Sequence, residues 1–422
     1  MIVSKFLIAA VTALLLTGAA GATDAPDYQA NMDRARTAYQ AEDWPALNDA
    51  LDEAQTARPW SLYVYRNRIL ARMLDGRQED ALALAAKVAE RGLSLTLAGH
   101  PAFDELTALD AYAPIADRMT ANNAAIGETG EPREFEQREL LPEAITYDRK
   151  GNLYIGSVRN GSILRAEKKQ NNLSLISNAR GGVFDLEVRG DTIWAAVNNQ
   201  LAYEDADPES KFASVMAFNA KTGALRREIR VADAEALIGD IEVAKDGTVY
   251  ASDSITPRIL KMEPDGQTLD PFVADPRFAN VQGIALDEKN HRLFAADYLT
   301  GLFVVDTRTG AVTALENIAD AHLGGIDGLY YYNGGLIGIQ NGTTPQRIVW
   351  IGLNEQSTAV TTFITMQQNL PGWNEPTHGA IVGKELRYIA TSNWPSYDGE
   401  WKPREDAVMQ PLRILTLPLE SN

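Results

Sequence analysis

The chain has 422 residues, 45% of them hydrophobic and 23% charged, a globular composition with room for more than one core. Its formal net charge of −18, with no basic run, excludes non-specific binding of nucleic acid or of anionic lipid. The absence of cysteine excludes disulfides, thiol catalysis and a lipidated amino-terminal cysteine.

Residues 1–22 read as a secretory signal. Lys5 supplies the positive start, residues 6–16 the apolar segment, and Ala20-Gly21-Ala22 the small-residue cleavage pattern, leaving Thr23 as the new amino terminus. The apolar segment is well short of the ~20 residues needed to span a bilayer, and no later segment is long and apolar enough. The expectation is export without a membrane span, to a bacterial periplasm or the medium.

Residues 23–119 form an Ala-rich region with helical periodicity. "ARTAYQAEDWPALNDALDEAQTARP" reads helix, turn, helix, and "RNRILARMLDGRQEDALALAAKVAERGL" repeats it. The registers coincide at a shift of 34, pairing Tyr39 with Met73, Leu47 with Ala81, Leu51 with Ala85 and Ala54 with Val88. That period, with Tyr39, Trp44 and Pro59, resembles the tetratricopeptide repeat, which implies a surface for a protein partner. A plain helical packing domain would read the same way. Two units make a short stack, so a third helical element is expected around residues 101–119. Residues 120–139, small, polar and bearing Gly and Pro, read as a linker.

Residues 140–422 change texture to short β-rich runs between Gly, Asn and Asp turns. One unit recurs six times, beginning "PEAITYDRKGNLYIGS", "FDLEVRGDTIWAAV", "GDIEVAKDGTVYAS", "VQGIALDEKNHRLFAA", "IDGLYYYNGGLIGI" and "THGAIVGKELRYIATS". The polar residues leading the units are Glu143, Asp185, Asp240, Gln282, Asp327 and His378, spaced 42, 55, 42, 45 and 51 residues apart. Four-stranded units at this spacing predict a six-bladed β-propeller. The chain is thus expected to be multidomain, helical then β. "EFEQREL" and "LRILTLPL" are the candidates for the strand that closes the ring.

In a propeller the innermost strand of each blade lines the channel, so the six leading residues should ring one mouth. The second strands end at the same face, bringing Asp253, Asp297, Asn341 and Asn393 there. Crowded acids repel unless a cation, raised pKa values or water and loop amides intervene. Oxygen donors with no Cys and few His suit a hard cation.

On "LPEAITYD", "VQGIALDEKNHRLFAAD" and "IDGLYY", residues 140–419 resemble the six-bladed family of regucalcin (senescence marker protein), gluconolactonase and luciferin-regenerating enzyme. The resemblance implies one divalent metal, Ca²⁺ or else Mg²⁺, Mn²⁺ or Zn²⁺, held by Glu143, Asp327 and a blade 4 residue. Gln282 stands where the family has Asn. It further implies a substrate contact at Asp240. The expected function is a metal-dependent lactone or ester hydrolase acting on a small, sugar-derived ligand. Asp327 is a ligand and candidate base, His378 and His322 are candidate proton carriers, and Asp240, Asn341, Asn393, Asp253 and Asp297 are substrate contacts. The alternatives are a non-enzymatic exported binding module and a quinone-dependent sugar dehydrogenase. There is no G-x-S-x-G, H-E-x-x-H, G-x-x-x-x-G-K-[ST] or G-x-G-x-x-G motif.

Overall fold

The computed structural model describes residues 27–128 and 130–419. The secretory signal expected at residues 1–22 lies outside them. Two helical hairpins come first: α1 (Tyr28–Gln40) with α2 (Trp44–Ala57), and α3 (Leu62–Leu74) with α4 (Gln78–Glu90). Side chains of Asp27, Asp43 and Ser61 cap α1, α2 and α3 by accepting from the first-turn amides of Ala30, Ala46 and Val64. The second hairpin starts 34 residues after the first. Leu47, Leu51 and Ala54 are buried, as are their counterparts Ala81, Ala85 and Val88. Tyr39 and Met73 are only half-buried at the rims of the two hairpin cores.

A third helical element follows, comprising the short α5 (Asp104–Thr107) and α6 (Ala113–Asn122). It places Phe103, Leu106, Tyr112 and Met119 into the core of the second hairpin, covering a face that two hairpins alone would expose. The stretch expected as a linker is not free chain. Ile126 pairs with Gln368 of blade 5, and Arg133–Phe135 forms a strand.

The rest is a six-bladed β-propeller. Blades 1 to 4 are four-stranded antiparallel sheets, with innermost strands at Pro142–Tyr147, Gly182–Arg189, Ile238–Val243 and Val281–Asp287. Blade 5 starts at Ile326–Tyr332 and carries an added parallel strand, Glu316–Asn317. Blade 6 takes Gly379–Ile381, Glu385–Ile389 and Leu412–Pro418 from the C-terminal end, and its outermost strand is Arg133–Phe135. The ring is therefore closed by the N-terminal candidate, while "LRILTLPL" is an ordinary third strand. Small and β-branched side chains such as Ala144, Ile145, Val183 and Ile193 fill the spaces between blades.

A bulge recurs at the start of the innermost strands. In blade 1 the pairing jumps from Pro142 to Ile145, in blade 3 from Ile238 to Ile241, in blade 4 from Val281 to Ile284, and in blade 5 from Ile326 to Leu329. The leading residues Glu143, Asp240, Gln282 and Asp327 fall inside these irregularities. A bulge re-aims a side chain and leaves a backbone N–H without a ladder partner. Both effects shape the channel mouth.

Two further structures lie on the same face. The long loop joining the second and third strands of blade 6 packs Trp394, Tyr397 and Trp401 against Leu201, Leu237 and Ile255 of blades 2 and 3. The helical region docks on the loops of blades 4 and 5. Trp60 Nε1 donates to Thr300 O at 3.2 Å, Arg91 pairs with Asp320 at 2.5 Å, and Ser94 N donates to Thr344 O at 2.7 Å. Among the described residues no helix is long and apolar enough to cross a membrane.

Candidate functional site

The ring of leading residues divides into two groups. In the first, the bulges leave the Ile241 and Ile284 amides unpaired, and acids of the preceding blade accept them. Asp185 Oδ2 takes Ile241 N at 3.1 Å, sharing it with Asp240 Oδ1 of the same strand at 2.8 Å, and Asp240 Oδ2 takes Ile284 N at 2.7 Å. Glu187 and Glu242 repeat the device two residues further along, on Val243 N and Leu286 N. Burial and then the charge of Asp185 push the Asp240 carboxyl well above the carboxylate range. These acids pin blade to blade. Asp240, expected as a substrate contact, is one of them.

The second group is Glu143, Asp327 and His378. One potential ligand atom from each lies within 4.8 Å of the others. His378 Nε2 is 3.9 Å from Asp327 Oδ1, and its Nδ1 faces Asp185 Oδ1 at 3.8 Å. Glu143 and His378 are buried, and Asp327 is half-buried. Each acid is supported by a side-chain donor. The Trp394 indole N–H donates to Glu143, and Asn341 Nδ2 donates to Asp327 Oδ2 at 2.7 Å. Asn341 Oδ1 in turn accepts from the Tyr298 hydroxyl at 3.0 Å. In blade 6 the Gly379 amide is taken by the Tyr330 hydroxyl at 2.6 Å, which leaves Asp327 free of the pinning role. Burial first, then the charge of Asp327, raises the Glu143 carboxyl well above its ordinary range. Burial raises Asp327 too, against the opposing influence of His378 and Asn341.

Several expected site residues are placed elsewhere. His322 is buried against Trp60, ring centroids 5.3 Å apart, under the helical region. Burial and then the charges of Arg347 and Arg91 hold its pKa well below the ordinary value. Gln282 turns its amide nitrogen to Asn280 Oδ1 at 2.8 Å and lays its carbonyl oxygen over Gly239 of blade 3. Asp253 caps its own turn, accepting from the amides of Leu237 and Thr256 and pairing with Arg258. Asp297 accepts four backbone amides, those of Ala279, Asn280, Leu299 and Thr300. Asn393 ties the Arg138 and Gln410 carbonyls together. Asn341 reaches the site, but through Asp327.

A cleft of about 430 Å³ opens on this face between blades 5 and 6, lined by Gln346, Gly372, Trp373, Asn374, Glu375, Pro395 and Gln410. Glu375 was not identified from the sequence, although it stands three residues ahead of the ring position in "NEPTHG". It adopts a left-handed backbone with φ of 55°. Burial, and then the charge of Asp327, pushes its carboxyl up to about 7. Trp394 and Tyr298 were missed for a simpler reason: their partners are remote in sequence.

Six sheets closed by an N-terminal strand define the class, a six-bladed β-propeller carrying an N-terminal helical region. No protein-family model and no curated protein matches the chain. Solved structures with the same fold include a PQQ-bound aldose sugar dehydrogenase from Streptomyces coelicolor, 17% identical over 71% of this chain and 99% of that one, with a TM-score of 0.49. The calcium-binding protein regucalcin from Agrobacterium tumefaciens is 12% identical over 69% and 95%, with a TM-score of 0.49. Virginiamycin B lyase from Staphylococcus aureus is 15% identical over 69% and 89%, with a TM-score of 0.45. These likenesses concern the fold and add nothing to the chemistry of the site.

Proposed function

We propose that Glu143, Asp327 and His378 hold one divalent cation at the channel mouth of a metal-dependent lactone or ester hydrolase. The observation that carries this reading is which ring members are left over. Asp185 and Asp240 are engaged by the next blade's amides and the Gly379 amide is taken by Tyr330, whereas Glu143, Asp327 and His378 turn toward one another. Two carboxylates so placed, one buried and one half-buried, repel, and a cation removes the repulsion. An imidazole in place of the expected amide oxygen moves the preference from Ca²⁺ toward Mn²⁺ or Zn²⁺.

When bound, such a cation supplies Lewis-acid polarisation of a carbonyl and a water of lowered pKa. The chain's own residues do the rest. Asn341 and Trp394 orient the two carboxylates, and Asp185 faces the far nitrogen of His378. Trp373 and the amides of Gln346, Asn374 and Gln410 present one apolar ring and several hydrogen-bonding groups to a small sugar-derived substrate in the cleft. Glu375, between cleft and acids, is placed to take or return a proton. The leader-like residues 1–22 support export.

A second reading, a non-catalytic exported binding protein, is favoured by the docking of the helical hairpins beside the mouth, where a partner held by them would lie. Calorimetric titration of Ca²⁺, Mg²⁺, Mn²⁺ and Zn²⁺ into wild type and Asp327→Asn, followed by a lactone and ester panel with and without chelator, tests both. Metal binding lost in the mutant together with chelator-sensitive turnover supports the hydrolase. Metal binding without turnover supports the binding protein. A wild type that binds none of the four removes the metal reading.

A further inference from the structure

One of the contacts between the helical region and the blade 4 and 5 loops runs toward the site, that of Trp60. Trp60, in the turn between α2 and α3, inserts its indole into the loops of blades 4 and 5. It donates to Thr300 O at 3.2 Å. A Cβ on Gly301 would come within 2.7 Å of its Nε1, and a Cβ on Gly324 would run into its side chain, so only glycine at both positions admits the ring. The ring also packs edge-on with His322 at 5.3 Å and under the Arg91 guanidinium, also at 5.3 Å. The segment it presses on contains Tyr298, whose carbonyl accepts the Gly325 amide at 2.8 Å. The hydroxyl of Tyr298 bonds Asn341, and Asn341 bonds Asp327. The Gly342 amide, next to Asn341, returns to Gly325 O at 3.0 Å. A continuous set of contacts thus joins the helical turn to the Asp327 carboxylate.

We infer that Trp60 is a positioning residue for Asp327, acting through Tyr298 and Asn341, and that the helical region is a built-in part of the channel-mouth site. Its functional consequence rests on the metal reading above; its geometry does not. Side chains that orient a metal ligand govern affinity as the ligands themselves do, and coupling through a packed network is established only by a coupling measurement.

The test uses the full chain with ring-carbon-labelled tyrosine and Mn²⁺ as the probe. The Tyr298 resonance, identified by its loss in Tyr298→Phe, reports the hydrogen bond to Asn341. Trp60→Ala should move that resonance and weaken Mn²⁺ binding roughly 3- to 30-fold. Trp60→Phe, which keeps an aromatic wedge, should stay near wild type on both readouts. Leu47→Ala, a core truncation of α2 away from the interface, should leave the Tyr298 signal in place. In the Tyr298→Phe background, Trp60→Ala should add no further loss of Mn²⁺ affinity. An unmoved Tyr298 signal in Trp60→Ala, an equal movement in Leu47→Ala, or additive losses in the double mutant would each overturn the inference. A wild type that binds no Mn²⁺ while Trp60→Ala still moves Tyr298 leaves the positioning role standing and removes the metal reading instead.

Discussion

Glu375→Gln should stabilise the metal-free protein at alkaline pH and leave it unchanged near pH 4. Burial is the larger cause and the charge of Asp327 the smaller; together they carry the Glu375 carboxyl from 4.5 to about 7. A folded-state pKa above the unfolded value means the folded protein holds the proton longer. The favourable contribution is complete below the unfolded pKa and is lost as pH rises through about 7. At about 1.4 kcal/mol per pKa unit, the shift corresponds to about 3 kcal/mol once the group ionises. Glutamine keeps the shape, carries no charge and leaves the left-handed backbone at this position as it was. The mutant should therefore be more stable than wild type by up to about 3 kcal/mol at pH 8. With an unfolding entropy of ~2.1 cal/mol/K per residue over the propeller, that is a rise in Tm of about 5 °C. Thermal unfolding of both proteins in chelator from pH 4 to pH 9 measures it. Parallel curves across the whole range would mean that Glu375 ionises as freely as an exposed carboxylate, and the reasoning from burial would fail.

Asp327→Asn should weaken Mn²⁺ binding at least about tenfold by calorimetry, while raising the Tm of the metal-free protein through relief of the repulsion with Glu143 and Glu375. Gln282→Ala should leave Mn²⁺ affinity within about twofold of wild type, since its amide turns to Asn280; a larger loss would return Gln282 to the ligand set. Asp297→Ala should destabilise by about 4 kcal/mol or more in denaturant titration, because four backbone amides lose their acceptor. That result would show Asp297 to be structural, as would intact Mn²⁺ affinity in the protein that still folds.

The blade count, the ring of leading residues and the repeat of 34 were legible in the sequence because each is a local pattern recurring at a fixed interval. Strand alternation, Asp-Gly turns and helix caps are set by residues within a few positions of one another, so repetition alone exposes the architecture. The division of labour within the ring was not legible. Asp240 and Asp327 lead equivalent strands and look alike in the chain. Tertiary structure separates them: Asp240 sits one residue before its strand rejoins the ladder and meets the Ile284 amide freed by the next blade's bulge, while Asp327 sits two residues before and the Tyr330 hydroxyl takes the Gly379 amide of blade 6. The same holds for His378 and His322, one facing two acids across the channel and the other sealed beneath Trp60. Which strand closes the ring, what Trp60 touches 240 residues away, and where Glu375 meets Asp327 depend on contacts between remote segments. Those contacts exist only once the blades have closed around the channel, so no local pattern records them.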